Sequence, residues 1–164
     1  MGVMMNIADI KRITKVLESM IQYELMLSDF YKQCADILTE NKSFWQNLAD
    51  AEVIHAENIQ KMREIITKKQ QSFEAGRPFN PIAIDTAMAG LNDNIRRLTS
   101  SAFSCEKMLI MARDIEQSIL ESHYAEIVKT DDPQYQSLMK GILSQTYEHK
   151  KIIQEKIEAV KTKA

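Results

Sequence analysis

The stretch that decides the fold is LADAEVIHAENIQKM, residues 48–62. Reading outward from it in alternating steps of three and four residues gives one stripe: Trp45, Leu48, Glu52, His55, Ile59, Met62 and Ile66. Residues at this spacing share one face of an α-helix. Glu52 and His55 interrupt the apolar stripe at its centre, where a buried carboxylate requires a compensating charge or hydrogen bond. The pattern therefore makes Glu52 and His55 candidate metal ligands inside a helical bundle.

Three further stripes of the same spacing predict three more long helices. The first main helix runs from residue 6 or 9 to about 40, the second from 43 to about 72, and the third from about 101 to 130. The fourth begins at Pro133, capped by Asp131 or Asp132. Each stripe has polar residues at its centre: Glu24 in the first, Glu116 in the third, and Thr146 with His149 in the fourth.

Several neighbouring residues carry secondary predictions. His123 lies on the third stripe and is expected at the helix surface or beside the ligands. Tyr31 and Tyr124 are expected in the core, with hydrogen bonding to the ligands or electron transfer as the alternative. Ser43 and Gln46 resemble a capping box at the start of the second helix. Gly141 falls inside the fourth helix, where close contact with another helix would explain it.

One long segment, residues 71–101, interrupts the helical pattern. It contains Gly76, Pro78, Pro81 and Gly90, and within it Asn80 and Pro81 mark the start of a short helix, PIAIDTAMAGLNDNIRRL. A connection of this length suits a crossover between parallel helices better than a tight hairpin. We therefore expect an all-α four-helix bundle, with a long crossover between the second and third main helices, formed by a single domain over residues 1–164.

Composition excludes several classes of function. The 164 residues carry a net charge of −2 with no basic stripe, which argues against nucleic-acid binding. The apolar runs are too short to span a membrane, and the first residues, MGVMMNIADIKR, lack the features of a secretory signal. Cys34 and Cys105 are far apart and form no CxxC motif, so they are expected to be reduced core residues of a cytoplasmic protein.

The pattern resembles the ferritin-like superfamily, and within it the rubrerythrin-like proteins that lack a rubredoxin domain. The resemblance covers nearly the whole chain, in YELMLSDFYKQCAD, FWQNLADAEVIHAENI and ARDIEQSILESHY. It implies an iron site, either di-iron or with a single metal. Its ligands at the matching positions are Glu24, Glu52, His55, Glu116 and His149.

The resemblance also implies a sixth ligand, a glutamate, where this chain has Thr146. Gln145 lies about 100° away around the helix and is neutral, so it is not expected to replace that carboxylate. One functional hypothesis is an iron oxidoreductase that reduces peroxide or oxidises ferrous iron, as a homodimer served by a redox partner. The alternative is a non-catalytic bundle that binds little or no metal and acts by self-association or by binding a partner. Position 146 favours the alternative.

Overall fold

The computed structural model describes residues 4–163, and helices account for 84% of them. Five α-helices and one antiparallel sheet of two short strands form the fold. The helices are α1 (Ile7–Ile37), α2 (Lys42–Lys68), α3 (Pro81–Ser100), α4 (Cys105–Glu121) and α5 (Pro133–Thr162). The strands are β1 (Phe73–Ala75) and β2 (Val128–Thr130). The prediction of a mainly helical chain is therefore confirmed.

Helices α1 and α2 form a hairpin with extensive mutual packing. A capping box begins α1, since the side chain of Asn6 accepts from the backbone N–H of Asp9 and the side chain of Asp9 accepts from that of Asn6. A 3₁₀ turn, Thr39–Asn41, leads directly into α2. The capping box predicted from Ser43 and Gln46 is wrong, because α2 starts at Lys42 and no side chain caps it.

The crossover segment is more ordered than a loop. After α2 come a 3₁₀ turn, Gln70–Ser72, then β1 and α3. Asn80 caps α3 as predicted, accepting from the backbone N–H of Ile82 at 3.0 Å, with Pro81 at the first helical position. The predicted helix is present and has 20 residues. It packs along α1.

The third main helix is shorter than predicted. Helix α4 ends at Glu121 rather than near residue 130, because His123 adopts a left-handed backbone with φ of 58°. His123 therefore lies outside the helix, and its side chain is 52% exposed, 3.5 Å from Glu126. A 3₁₀ turn, Tyr124–Glu126, and then β2 follow it.

The two-stranded sheet was not predicted from the sequence. Phe73 pairs with Thr130 and Ala75 with Val128. Next to β1, the backbone of Gly76 lies so close to that of Glu126 that a Cβ at Gly76 would be 2.1 Å from the Glu126 backbone oxygen. Only glycine fits such an approach, which explains this residue in the crossover.

Helix α5 packs against both α4 and α2. Asp132 caps it by accepting from the backbone N–H of Tyr135 at 2.9 Å, and Lys69 forms a 2.8 Å ion pair with the same carboxylate. The close contact predicted at Gly141 is wrong, since a Cβ there would meet nothing within 4 Å and the residue is exposed.

The predicted stripes supply most of the core. Fully buried members include Leu17, Leu27, Trp45, Ile59 and Ile153. Both cysteines are free, as predicted; Cys34 is buried and Cys105 is half-buried. None of the helices within residues 4–163 combines the length and the apolar composition needed to cross a bilayer.

Candidate metal site

The five predicted ligands come together inside the helical core. Glu52, His55 and Glu116 are at most 1% exposed, Glu24 is 2% exposed and His149 is 8% exposed. Their side chains form two groups, in each of which one donor atom per residue lies within 4.8 Å of the others: Glu24, Glu52 and His55 form the first cluster, and Glu52, Glu116 and His149 form the second cluster. Four helices, α1, α2, α4 and α5, contribute to them.

Glu52 belongs to both clusters and directs one oxygen to each. Its Oε2 is 2.8 Å from Nδ1 of His55, and its Oε1 is 3.0 Å from Nδ1 of His149. That second contact is an ion pair when His149 carries its proton. The two imidazole rings stack with their centroids 5.6 Å apart. The shared carboxylate therefore joins the two clusters.

Tyr31 positions the carboxylate of Glu116. Its hydroxyl donates a short hydrogen bond to Oε1 of Glu116, the oxygen that also lies 3.5 Å from Nδ1 of His149. Of the two roles considered for Tyr31, the structure shows both burial in the core and a hydrogen bond to a predicted ligand. Tyr124 is also buried, but its hydroxyl has no hydrogen-bond partner in the part of the chain that the structure describes.

Thr146 faces the buried interior, as the helix register predicted. It is 1% exposed, and its hydroxyl donates to the backbone oxygen of Ile142 at 2.9 Å, within its own helix. The sequence therefore supplies no carboxylate on α5 one turn before His149.

Gln145 makes a contact that the sequence analysis did not predict. Its Oε1 lies 2.7 Å from Nε2 of His55. When the Nε2–H group of His55 donates a hydrogen bond to this oxygen, Nδ1 is unprotonated. Its lone pair can then bind a metal ion in the first cluster. A buried imidazole needs a partner on each of its two nitrogens. His55 was therefore a signal to search for a second polar residue near its ring.

Protonation balances the negative charge of the clusters. Burial raises the pKa of Glu24 well above its usual value, and the neighbouring charge of Glu52 raises it further. Burial, with the charge of Glu52, also raises the pKa of Glu116 to about 7, although His149 and Tyr31 oppose the shift.

The pKa of Glu52, by contrast, is lowered by its contacts with the two histidines. Burial alone would raise the pKa of Glu52, but its contacts with His149 and His55 outweigh burial and lower the value to about 2. For His149 burial favours the neutral ring, yet the adjacent carboxylates of Glu116 and Glu52 raise its pKa to about 10. At neutral pH an anionic Glu52 therefore faces a cationic His149, with protons retained on Glu24 and partly on Glu116.

The donor atoms lie close to the spacing that a metal ion requires. Two ligand atoms, each about 2.1 Å from an ion, are roughly 3.0 to 3.4 Å apart at right-angled to tetrahedral geometry. The contacts of His149 with Glu52 and Glu116, at 3.0 and 3.5 Å, are near this range, whereas the 2.8 Å contact of Glu52 with His55 is a hydrogen bond. In addition, one atom in each of four ligands is buried without a hydrogen-bond partner among residues 4–163: Glu24 Oε2, Glu52 Oε1, Glu116 Oε2 and His149 Nδ1. The residues fit a metal ion, and their oxygen and nitrogen donors suit iron among others.

Comparison with protein-family models, with curated proteins and with solved structures finds no match to this chain. The case for a function rests on the geometry of the clusters.

Proposed function

We propose that this protein is a ferritin-like, rubrerythrin-like bundle that holds two metal ions, iron in the cell, on clusters sharing Glu52. Helices α1, α2, α4 and α5 would form the four-helix bundle, and α3 would lie in its crossover. The first ion would be held by Glu24, Glu52 and His55, and the second by Glu52, Glu116 and His149. Each position would have two carboxylates and one imidazole.

The observation that carries the proposal is the arrangement of Glu52. Its two oxygens lie beside different imidazoles, at 2.8 Å from His55 and 3.0 Å from His149. A carboxylate that serves only as a hydrogen-bond acceptor in the core needs no second buried imidazole on its other oxygen. Two groups of ligands around one carboxylate match what a bridged pair of ions requires.

Iron bound by carboxylates and imidazoles would supply oxidation and reduction chemistry, either the reduction of peroxide or the oxidation of ferrous iron. The chain's own residues would set the environment. Tyr31 holds Glu116 in place, and Gln145 fixes the ring of His55. Turnover with peroxide would require electrons from a redox partner, and we expect the protein to act as a homodimer.

Metal stoichiometry tests the proposal directly. The chain loaded anaerobically with ferrous iron should bind up to two ions. Glu24→Gln and Glu116→Gln should each remove about one ion, whereas Glu52→Gln should remove both, because only Glu52 belongs to both clusters.

Glu57→Gln is the matched control, an exposed glutamate on the same helix as Glu52. It should bind as much iron as the parent. Iron binding by Glu52→Gln at the level of the parent and the control would contradict the shared site. Sedimentation of the same samples tests the homodimer.

The alternative, a non-catalytic bundle that binds little or no metal, is favoured by two observations. Thr146 leaves the fourth helix without a bridging carboxylate. The ion pair between Glu52 and His149, with the proton on Glu24, also compensates the buried charge without metal. A chain that binds no iron at micromolar concentration would favour this alternative.

A further inference from the structure

A cavity of about 300 Å³ lies between α1, α3 and α4 and reaches the first cluster. Apolar side chains form most of its wall: Met20, Phe79, Ala83, Ile84, Ala87 and Ile119. Glu24, a ligand of the first cluster, also lines it. The helix of the crossover segment therefore forms one wall of a pocket that opens onto the proposed metal position.

Two buried polar groups that line this cavity have no hydrogen-bond partner among residues 4–163. They are Oε2 of Glu24 and the hydroxyl of Tyr124, and the two residues are 2% and 5% exposed. An unpaired buried polar atom destabilises the fold, so each is a place where a bound molecule would gain a hydrogen bond. A mainly apolar pocket with a few convergent polar groups is the usual form of a small-molecule site.

We propose that this cavity binds a small, uncharged, largely apolar molecule carrying one hydroxyl or hydroperoxyl group, which hydrogen-bonds to Tyr124 and Glu24. The role of that molecule rests on the proposed function: as a substrate it would be an organic hydroperoxide. Its reduction breaks the O–O bond, takes up two protons and two electrons from a reduced redox partner, and gives the alcohol and water.

The volume of the cavity and the charges of its lining residues indicate which class of molecule it can bind. An apolar cavity of about 150 Å³ holds benzene, so twice that volume accommodates roughly a dozen non-hydrogen atoms. Within the described part of the chain no basic side chain lines the cavity, which disfavours an anion. Glu121 also lines the cavity, but it is exposed, so its carboxylate is at the rim, while the apolar wall disfavours any charged ligand inside. A hydroxyl both donates and accepts, so it can satisfy a phenol and a carboxyl group together.

Binding of four benzyl probes tests the proposal without relying on activity. Benzyl alcohol, toluene, benzylammonium and benzoate are titrated into the full chain and followed by protein NMR, with and without metal. Benzyl alcohol should bind with a Kd of about 1 mM or tighter, and the two charged analogues at least tenfold more weakly. Tyr124→Phe should weaken benzyl alcohol about fivefold and leave toluene unchanged, because only the alcohol loses a hydrogen bond.

A cavity-filling variant gives a second test. Ala87→Phe places a ring in the cavity and should weaken both neutral probes at least tenfold, whereas Ala89→Phe, on an exposed position of the same helix, should not. Circular dichroism verifies that both variants fold. Absence of saturable benzyl alcohol binding, or equal binding by both phenylalanine variants, would overturn the proposal.

Two results separate this inference from the proposed function. Benzyl alcohol binding by a chain that takes up no iron would support the cavity and reject the substrate role. If the iron-loaded chain consumes peroxide, kcat/KM for cumene hydroperoxide should exceed that for hydrogen peroxide, and Ala87→Phe should lower the former by a larger factor than the latter. Equal loss for both peroxides would overturn the assignment of an organic substrate.

Discussion

Thr146→Glu tests whether the missing carboxylate limits metal binding. Position 146 lies one helical turn before His149, and its side chain is buried on the same side of α5. The hydroxyl of Thr146 donates to Ile142 of its own helix, so replacing it breaks no hydrogen bond between helices in the described part of the chain. A glutamate here would place a carboxylate beside the second cluster, as the resemblance to rubrerythrin-like proteins implies.

Without metal this substitution should destabilise the fold. An uncompensated buried charge costs about 3 kcal/mol or more, and the longer side chain adds about 1 kcal/mol of overpacking. A loss of about 4 kcal/mol lowers the Tm of a chain of this size by roughly 8 to 16 °C. Metal at a hundredfold excess over its Kd would return about 2.7 kcal/mol, most of the charge penalty.

The assay compares Tm and iron per chain, with and without ferrous iron, in the parent, Thr146→Glu and Thr146→Gln. Glutamine matches glutamate in size but carries no charge, so the difference between the two variants isolates the carboxylate. Only Thr146→Glu should gain iron occupancy and regain stability on loading. Equal iron content and equal changes in Tm for the two variants would refute the reasoning.

Three further predictions follow from the same geometry. Metal should fill the cluster of Glu24 first, because the cluster of His149 lacks the carboxylate that Thr146 replaces, and occupancy of both should rise with pH, because metal must displace a proton from Glu24 and from His149; anomalous scattering from crystals at pH 6 and pH 8.5 checks this, and a stronger peak beside His149 at pH 6 would contradict it. Since the pKa of Glu116 rises from 4.5 to about 7 on folding, the metal-free fold retains a proton that the unfolded chain has lost; denaturant unfolding should show stability falling as pH rises from 4.5 through 7, and Glu116→Gln should remove its own part of that fall while the part due to Glu24, whose pKa is also raised, remains. Ile59→Ala should cost about 2 to 5 kcal/mol in the same assay, whereas Ile54→Ala, at a position 51% exposed on the same helix, should cost under 1 kcal/mol.

Helical periodicity was sufficient to locate the candidate ligands. Glu24, Glu52 and Glu116 each stand in the middle of an otherwise apolar stripe, and all three are buried. A stripe fixes which face of a helix turns inward, and the polar residues of the four stripes meet inside the core. The length of each helix does not set their depth, because α4 has only 17 residues and still contributes Glu116.

Periodicity failed where a segment stays buried without remaining helical. Ile127 continues the stripe of the third main helix and is 1% exposed, yet it follows a 3₁₀ turn outside α4. Burial alone therefore does not separate a helix from a turn. The left-handed backbone of His123 determines where α4 ends, together with the pairing of β2 with β1. Strand β1 is more than 50 residues away in sequence.

Gln145 shows a second limit of the same method. Its Cα lies about 100° around α5 from that of Thr146, and the residue as a whole is exposed. Its side chain is nevertheless long enough for Oε1 to contact His55. An angular argument fixes the direction of the Cβ atom but not the position of a terminal amide several bonds further on.

The charge balance of the clusters relates the two functional hypotheses. In the metal-free chain the cationic His149 neutralises Glu52, while Glu24 keeps its proton, so the core can close before any metal arrives. Metal binding must displace the protons of Glu24 and His149, and each ion would replace them with positive charge at the same carboxylates. The protons on Glu24 and His149 that compensate the buried charge without metal are therefore the same protons that a metal ion must displace. Proton release on adding ferrous iron, measured by calorimetry in buffers of different ionisation enthalpy, distinguishes binding at these clusters from adventitious binding to surface carboxylates, which are already ionised at neutral pH.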